Sequence, residues 1–195
     1  MAASLPPSSE PMTRGIGLHG FRAAAVDMWG PNALHAIAAR LSDEARRRTI
    51  DDIVLPVSWY PERFVIEWQE AVWNGPAQRL DSAFFAFIDR GIEQGFGRMR
   101  RFFLRLTTLE AMVARGPEAW RYQHTHGTMT GKLVSRTHSI YTLTDHPFVK
   151  NPLTRRSTAA AWRHIGELAG LKDMKESHAM DGTDTLVVRL SFSGK

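Results

Sequence analysis

The chain has 195 residues, 43% of them hydrophobic, which is enough for one sizeable core or for a helical half beside a small sheet half. It contains no cysteine, so disulfides, thiolate nucleophiles, cysteine zinc sites and iron–sulfur clusters are excluded. The 25 Lys and Arg residues against 20 Asp and Glu residues give a net charge of +5, but acidic and basic residues are interspersed, which favours a solvated surface over nucleic-acid binding.

Residues 1–13 are rich in proline and serine and contain no apolar run. This composition is typical of neither a signal peptide nor a membrane anchor. The sequence therefore predicts a disordered tail at 1–13, no membrane span, and a cytoplasmic location.

Residues 14–120 show the spacing of amphipathic helices throughout. Ser42 is a predicted cap, Pro61 opens a helix, and Thr107 with Glu110 forms a predicted capping box. The predicted helices cover 16–29, the segment after Pro31, a short stretch after Ser42, 61–74, 77–94, 98–106 and the stretch from 107 to Gly116-Pro117.

Residues 121–195 change to β-branched residues, glycines and two-residue alternation. Strands are predicted around 122–129 and 133–143, a helix at 158–168, a weak strand at 172–178 and a clear strand at 185–192, with a turn at Asp181-Gly182. We therefore predict one α+β domain over 14–195, in which a helical N-terminal part (14–120) packs on a small antiparallel sheet with a crossing helix (121–195).

Four short motifs accompany this layout, namely Gly15-Ile16-Gly17-Leu18, Ser58-Trp59-Tyr60-Pro61, Phe102-Phe103-Leu104-Arg105-Leu106 and Pro117-Glu118-Ala119-Trp120. With the order of elements, they resemble the haem nitric-oxide/oxygen-binding domains and the vinyl-reductase-type small-molecule-binding domains. The chain is most similar to an uncharacterised family of about this length that is abundant in myxobacteria. The resemblance implies a pocket between helices and sheet that senses or carries a small molecule.

The sequence departs from the haem-binding relatives at their ligand positions. In those relatives a histidine on a helix before the sheet ligates iron, and a Tyr-x-Ser-x-Arg motif holds the propionates. Here residues 98–120 contain no histidine, and Ser135 has Leu133 two positions before it and Thr137 two positions after it. Because haem iron needs an axial donor, the sequence indicates that haem is disfavoured and leaves the cofactor unknown.

An apolar pocket needs aromatic and aliphatic walls, and the chain has six Trp and 10 Phe residues. For any single aromatic residue at helical spacing, an ordinary core position is the favoured alternative. The predicted ligand-binding residues are Trp59, Tyr60, Phe64, Trp68, Phe84, Phe103, Trp120 and Trp162.

One histidine pattern suggests a metal. His124 and His126 share a face if they lie on a strand, and His138 on the next strand is then able to face them. Three imidazoles with an open position suit zinc or a similar metal, and a polar strand surface is the alternative. His146, His164 and His178 are interpreted as surface or hydrogen-bonded core residues.

No nucleophile elbow, phosphate-binding glycine loop or dinucleotide fingerprint occurs in the sequence. The leading hypothesis is therefore a non-catalytic sensor or binding module for a small apolar ligand, which signals through a protein partner or a homodimer. Two alternatives stay open: an interaction or scaffold module without a ligand, and a nucleic-acid-binding protein that uses the basic stretch 98–105.

Overall fold

The computed structural model describes residues 9–105 and 108–194, except for the side chains of residues 97–105. Helices form most of the first part of the chain and a four-stranded antiparallel sheet follows, which confirms the predicted α+β fold. The elements in chain order are β1 (Met12–Arg14), α1 (Ile16–Trp29), α2 (Ala33–Ala38), α3 (Asp43–Arg46), a π-helical turn (Arg47–Asp51), β2 (Trp59–Pro61), α4 (Arg63–Asn74), α5 (Asp81–Arg105), α6 (Leu109–Gln123), β3 (Thr128–Ser135), β4 (His138–Thr144), α7 (Pro152–Leu168), β5 (Lys175–Asp181) and β6 (Thr185–Ser191). In the described part of the chain, none of the helices has both the length and the apolar character that a membrane crossing requires.

The sheet has the strand order β3-β4-β6-β5, and all its neighbours are antiparallel. On the central strand β6, Leu186, Val188 and Leu190 are buried while Arg189 is exposed, as the alternation predicts, but Val187 on the opposite face is also buried. The last paired residues of the β5–β6 hairpin are Asp181 and Thr185, so the turn occupies residues 182–184 rather than a two-residue Asp-Gly turn.

The helix α7 belongs to two buried cores. Leu153 and Ala160 pack in the core of the helical part, whereas Ala159 and Trp162 pack in the core of the sheet part. Since residues on opposite sides of one helix serve the two cores, α7 is the predicted crossing helix.

Side-chain caps set the start of three helices. The side chains of Ser42, Thr108 and Asn151 each accept a hydrogen bond from a backbone N–H in the turn that follows. Ser42 is the predicted cap of α3. Thr107 lies outside the described residues, and Thr108 occupies the cap position of α6. Asn151 starts α7 at Pro152, earlier than the predicted residue 158.

The helix α6 continues through Pro117, so the prediction that Gly116-Pro117 ends it is wrong. A proline inside a helix removes one backbone donor. The next turn nevertheless carries Trp120, which is buried in the sheet core, and burial of a large aromatic side chain compensates for that loss. The helix therefore reaches Gln123, and the strand predicted at 122–129 starts only at Thr128.

The two helices predicted at 77–94 and 98–106 are a single helix, because α5 runs without a break from Asp81 to Arg105. Gly91 and Gly95 lie where α5 crosses α1. A Cβ atom on Gly20 of α1 would stand 2.0 Å from the carbonyl oxygen of Gly91, and one on Gly95 would stand 2.9 Å from the carbonyl oxygen of Ile16. The glycines therefore permit a backbone-to-backbone contact between the two helices.

The predicted tail 1–13 is wrong for Met12 and Thr13, which belong to β1. This strand pairs with β2 and also contacts the end of α6: the N–H of Met12 donates to Oγ1 of Thr125 at 2.9 Å, and the N–H of Thr125 donates to the carbonyl oxygen of Met12 at 3.0 Å. Residues 1–8 lie outside the described residues.

We expect Gly20→Ala to destabilise the fold by about 1–3 kcal/mol, because the added methyl group forces α1 and α5 apart. Gly17→Ala is the matched control, since it is on the same helix and a Cβ there meets nothing within 4 Å. Urea unfolding of both variants measures the difference. Equal stability of the two variants would contradict the close helix crossing.

Candidate functional site

A cavity of about 570 Å³, partly open to solvent, lies between the helical core and the sheet core. Residues of α1, α4 and α5 line one side, and residues of α6 and α7 line the other. Most of its wall is apolar and includes Phe21, Val65, Ile88, Ile92, Trp120 and Ile165. A cavity of this size and character suits a small-molecule ligand.

One corner of the cavity is polar and contains a carboxylate between two imidazoles. Oε1 of Glu62 lies 2.9 Å from Nδ1 of His124 and 3.0 Å from Nε2 of His146. Glu62 is only 4% exposed and His146 only 3%. Three titratable side chains therefore meet where a ligand in the cavity would reach them.

Each member of this cluster comes from a different segment. Glu62 follows β2 directly and precedes the first turn of α4. His124 is the residue after α6, where its backbone N–H donates to the carbonyl oxygen of Trp120. His146 follows Asp145, whose positive φ of 57° turns the chain after β4. The cluster thus joins the helical part, the end of α6 and the loop that leads to α7.

Trp120 fixes the orientation of the two imidazoles. Its ring stacks on His124 with centroids 3.9 Å apart and planes at 14°, and it meets His146 edge-on at 5.6 Å. The indole Nε1 donates to the carbonyl oxygen of His126 at 3.2 Å, which holds the ring in place. Contacts within the protein therefore set the orientation of both histidines.

The cluster keeps Glu62 ionised. Burial by itself raises the pKa of this carboxyl. The charge and hydrogen bond of His124 and the hydrogen bond of His146 outweigh that effect and lower the pKa to about 2. An ionised carboxylate accepts hydrogen bonds only, so Nδ1 of His124 and Nε2 of His146 must donate. In the neutral imidazole, Nε2 of His124 then carries the lone pair that a ligand requires.

Two of the eight predicted ligand-binding residues, Trp120 and Trp162, line the cavity. Trp162 also stacks on Tyr141 of β4 at 4.2 Å. Phe64, Trp68 and Phe84 are fully buried in the helical core and do not line the cavity.

The remaining predicted ligand-binding residues lie elsewhere. The ring of Trp59 lies under the guanidinium of Arg14 at 4.0 Å, and the hydroxyl of Tyr60 accepts the N–H of Leu55 at 3.0 Å. Neither lines the cavity. The side chain of Phe103 lies outside the described residues.

The three histidines predicted to form a metal site do not meet. Nδ1 of His126 lies 2.8 Å from Oγ1 of Thr125, and His138 is exposed on β4, where Oγ1 of Thr137 lies 2.9 Å from its Nδ1. Only His124 enters the cavity cluster, because it ends a helix instead of lying on the predicted strand. Its partners there are Glu62 and His146, which the sequence reasoning missed. Glu62 is 62 positions from His124 and 84 positions from His146 along the chain, and no spacing motif relates such distant positions.

No protein-family model and no curated protein matches the sequence. Solved structures do match. One from work on haem redox potential and porphyrin distortion gives a TM-score of 0.63 at 10% identity, over 92% of this chain and 99% of that chain. An oxygen-binding H-NOX domain related to soluble guanylate cyclases gives 0.62 at 10% identity, over 93% and 95% of the two chains. The Fe(II) unliganded H-NOX protein from K. algicida gives 0.62 at 8% identity, over 93% and 97%. The chain has the H-NOX fold.

The expectation that haem is disfavoured is corrected by this comparison, because the structures that share the fold include proteins studied for their haem. Its premise also fails in this chain. It rested on the lack of a histidine in residues 98–120, whereas α6 runs on to Gln123 and His124 lies on the cavity wall. An imidazole is therefore present at the cavity, which is the type of donor that haem iron requires.

We expect Glu62→Gln to destabilise the protein by about 1–3 kcal/mol at neutral pH, because it removes the charge that strengthens both imidazole hydrogen bonds and places a buried amide NH2 donor at the position of Oε2, where no acceptor is available among the described residues. Asp52→Asn, which changes an exposed acid, is the control. Urea unfolding at pH 7 measures the effect.

The pH dependence gives a second measurement of the same interaction. Since the pKa of Glu62 is lowered from 4.5 to about 2 on folding, its contribution is complete above pH 4.5 and is lost as the pH falls towards 2. The stability advantage of the wild type over Glu62→Gln therefore shrinks over that interval. A constant difference between pH 7 and pH 2 would show that the charge of Glu62 does not matter.

Proposed function

We propose that this chain is a non-catalytic sensor domain that holds a small, largely apolar ligand in this cavity and signals to a protein partner. The observation that carries the proposal is the apolar cavity of about 570 Å³ with one imidazole–carboxylate corner. Apolar walls with a few placed polar groups are the usual composition of a ligand pocket. The fold supports the proposal, because similar structures include an oxygen complex of an H-NOX domain.

Haem is the ligand that we propose to test first. His124 on the cavity wall would supply the axial nitrogen, and Glu62 on its Nδ1 would fix the tautomer and raise the basicity of Nε2. Arg14 and Arg115 line the cavity and are cations that carboxylates of a ligand would approach. When bound, the iron would provide a position for a diatomic gas.

The position of α7 supports a mechanism for signalling. Ala161, Trp162 and Ile165 of this helix line the cavity, while other residues of α7 pack in both cores. A ligand that contacts α7 changes the relative stability of its arrangements, provided that it binds one of them better. Occupancy of the cavity is thereby transmitted to the helical part and to the sheet at once.

An exposed apolar segment supports the proposed contact with a partner. The side chains of Ile53, Leu55 and Val57 are 82%, 53% and 64% exposed. Arg14 donates to the carbonyl oxygen of Val57, and this arginine also lines the cavity. The segment is therefore connected to the site through one side chain. The cytoplasmic location and the likeness to the myxobacterial family stay predictions.

We expect Ala161→Phe to abolish ligand retention without unfolding the chain, because the added ring projects from a cavity-lining position. Ala114→Phe, at an exposed position of α6, is the control. Native and denaturing mass spectrometry of the purified proteins compares the mass that each loses on denaturation. Equal retention by both variants would contradict a ligand in this cavity.

We expect the wild type to take up hemin with a Soret band, and His124→Ala to lose most of that band or shift it, because the axial nitrogen is removed. Added imidazole should restore the spectrum of His124→Ala, which a merely misfolded variant would not allow. His138→Ala, an exposed histidine on β4, should behave as the wild type. A wild type that shows no Soret band after reconstitution would contradict haem as the ligand. The wider proposal of a ligand in the cavity would then depend on the mass measurement.

A further inference from the structure

We propose that Glu62, His124 and His146 bind one divalent first-row transition-metal ion at the polar corner of the cavity. This inference rests on the proposed function, since it assigns to the same cavity a metal anchor for its ligand. The coordinating atoms are Oε1 of Glu62, Nδ1 of His124 and Nε2 of His146, which all lie within 4.8 Å of one another.

The distances between these atoms suit a metal centre. The two carboxylate–imidazole separations are 2.9 and 3.0 Å. Around an ion with bonds of about 2.1 Å, neighbouring donors stand roughly 3.0–3.4 Å apart. The ion would therefore replace the two hydrogen bonds with only small side-chain movements. Both nitrogens must first give up their protons, either to the other ring nitrogen or to solvent.

The second carboxylate oxygen of Glu62 can accept a further partner. This oxygen, Oε2, is buried and has no hydrogen-bond partner among the described residues. A buried carboxylate oxygen without a partner is costly. An ion held by Oε1 and approached by Oε2 in a bidentate manner would satisfy the second oxygen and balance the buried charge.

The donor set selects the class of metal. Two imidazoles and one carboxylate suit Fe(II), Zn(II) and their neighbours in the first row, whereas calcium and magnesium prefer oxygen donors. Three protein donors leave coordination positions open, as in sites where a metal binds an exogenous molecule. Here the open positions would be filled from the cavity, which His124 and His146 both line.

A second cluster in the described chain, formed by Asp89, His164 and Glu167, shows what a site without room for a cation looks like. There Arg163 donates to Asp89 at 2.7 Å and to Glu167 at 2.6 Å, so a guanidinium already neutralises both acids. Among the described residues, no lysine or arginine forms an ion pair with Glu62. In the Glu62 cluster the groups that contact the carboxylate are instead two imidazoles, which a metal ion can use as ligands while it supplies positive charge.

The metal and haem would use different nitrogens of His124. The proposed ion takes Nδ1, together with Glu62 and His146, whereas an axial bond to haem would use Nε2. Removal of the imidazole of His146 therefore affects the first ligand directly and leaves the donor of the second in place. This difference makes the two ligands separable by experiment.

The test uses the full chain after treatment with a chelator. Co²⁺ is titrated into the wild type, His146→Ala, Glu62→Gln and the exposed control His138→Ala, with visible d–d absorption and calorimetry as readouts. We expect one equivalent to bind to the wild type and to the control. Loss of a second-shell partner alone costs about 10–100-fold in affinity, so removal of a coordinating group in His146→Ala or Glu62→Gln should cost at least about tenfold. Circular dichroism confirms that each variant is folded, and hemin uptake is recorded on the same samples.

Stoichiometric Co²⁺ binding by the wild type and by His138→Ala that is lost in folded His146→Ala and folded Glu62→Gln supports the metal site. Binding of Co²⁺ to His146→Ala as tightly as to the wild type overturns it, because the ion is then held elsewhere. A wild type that retains hemin or another ligand but binds no stoichiometric Co²⁺ or Zn²⁺ also overturns it and leaves the sensor function standing. A wild type that binds neither metal, hemin nor any copurified molecule counts against both proposals.

Discussion

The buried carboxylate of Glu62, held between His124 and His146, is the constraint on which the arrangement of this protein depends. An isolated buried charge is destabilising by several kcal/mol, and it becomes tolerable only when donors are supplied at hydrogen-bond distance. Those donors come from the end of α6 and from the loop between β4 and α7. The position of the sheet part relative to α4 is therefore set by a polar interaction as well as by packing.

The cavity exists because the chain builds two cores instead of one. The helical core centres on Trp68 and Phe84, and the sheet core on Tyr141 and Trp162. The helix α7 contributes to both, but the two cores do not close on each other over the whole length of the contact. The close crossing of α1 and α5 at Gly20 and Gly91 keeps the far wall rigid. The cavity is the space that remains between these two layers.

Local patterns in the sequence were sufficient to predict the fold class. The alternation of β6, the cap at Ser42 and the amphipathic spacing of α7 are short-range signals, and all three elements are present, although α7 starts at Pro152 instead of residue 158. The prediction of helix and strand ends failed where a long-range interaction determines them. Pro117 stays inside α6 because Trp120 is buried by a sheet that lies later in the chain. Burial and register also decide which aromatic residues reach the cavity, and neither is encoded by spacing along one element.

The site shows the same limit more sharply. The spacing of His124 and His126 predicts a shared face on a strand, but α6 runs to Gln123 and the two imidazoles contact different partners, Glu62 and Thr125. Glu62 carried no signal at all, because a glutamate after Pro61 is common at the start of any helix. Its importance is visible only when the distant histidines are brought to it.

The strand β1 has a consequence for how this protein folds. Its contacts with Thr125 close a chain loop of 113 residues, and the bonds of Glu62 close loops of 62 and 84 residues. Loop-closure entropy makes contacts of such length late events in folding. The cavity corner is therefore completed only when chain segments between Met12 and His146 have come together, and a molecule that binds there stabilises this long-range arrangement rather than one local segment.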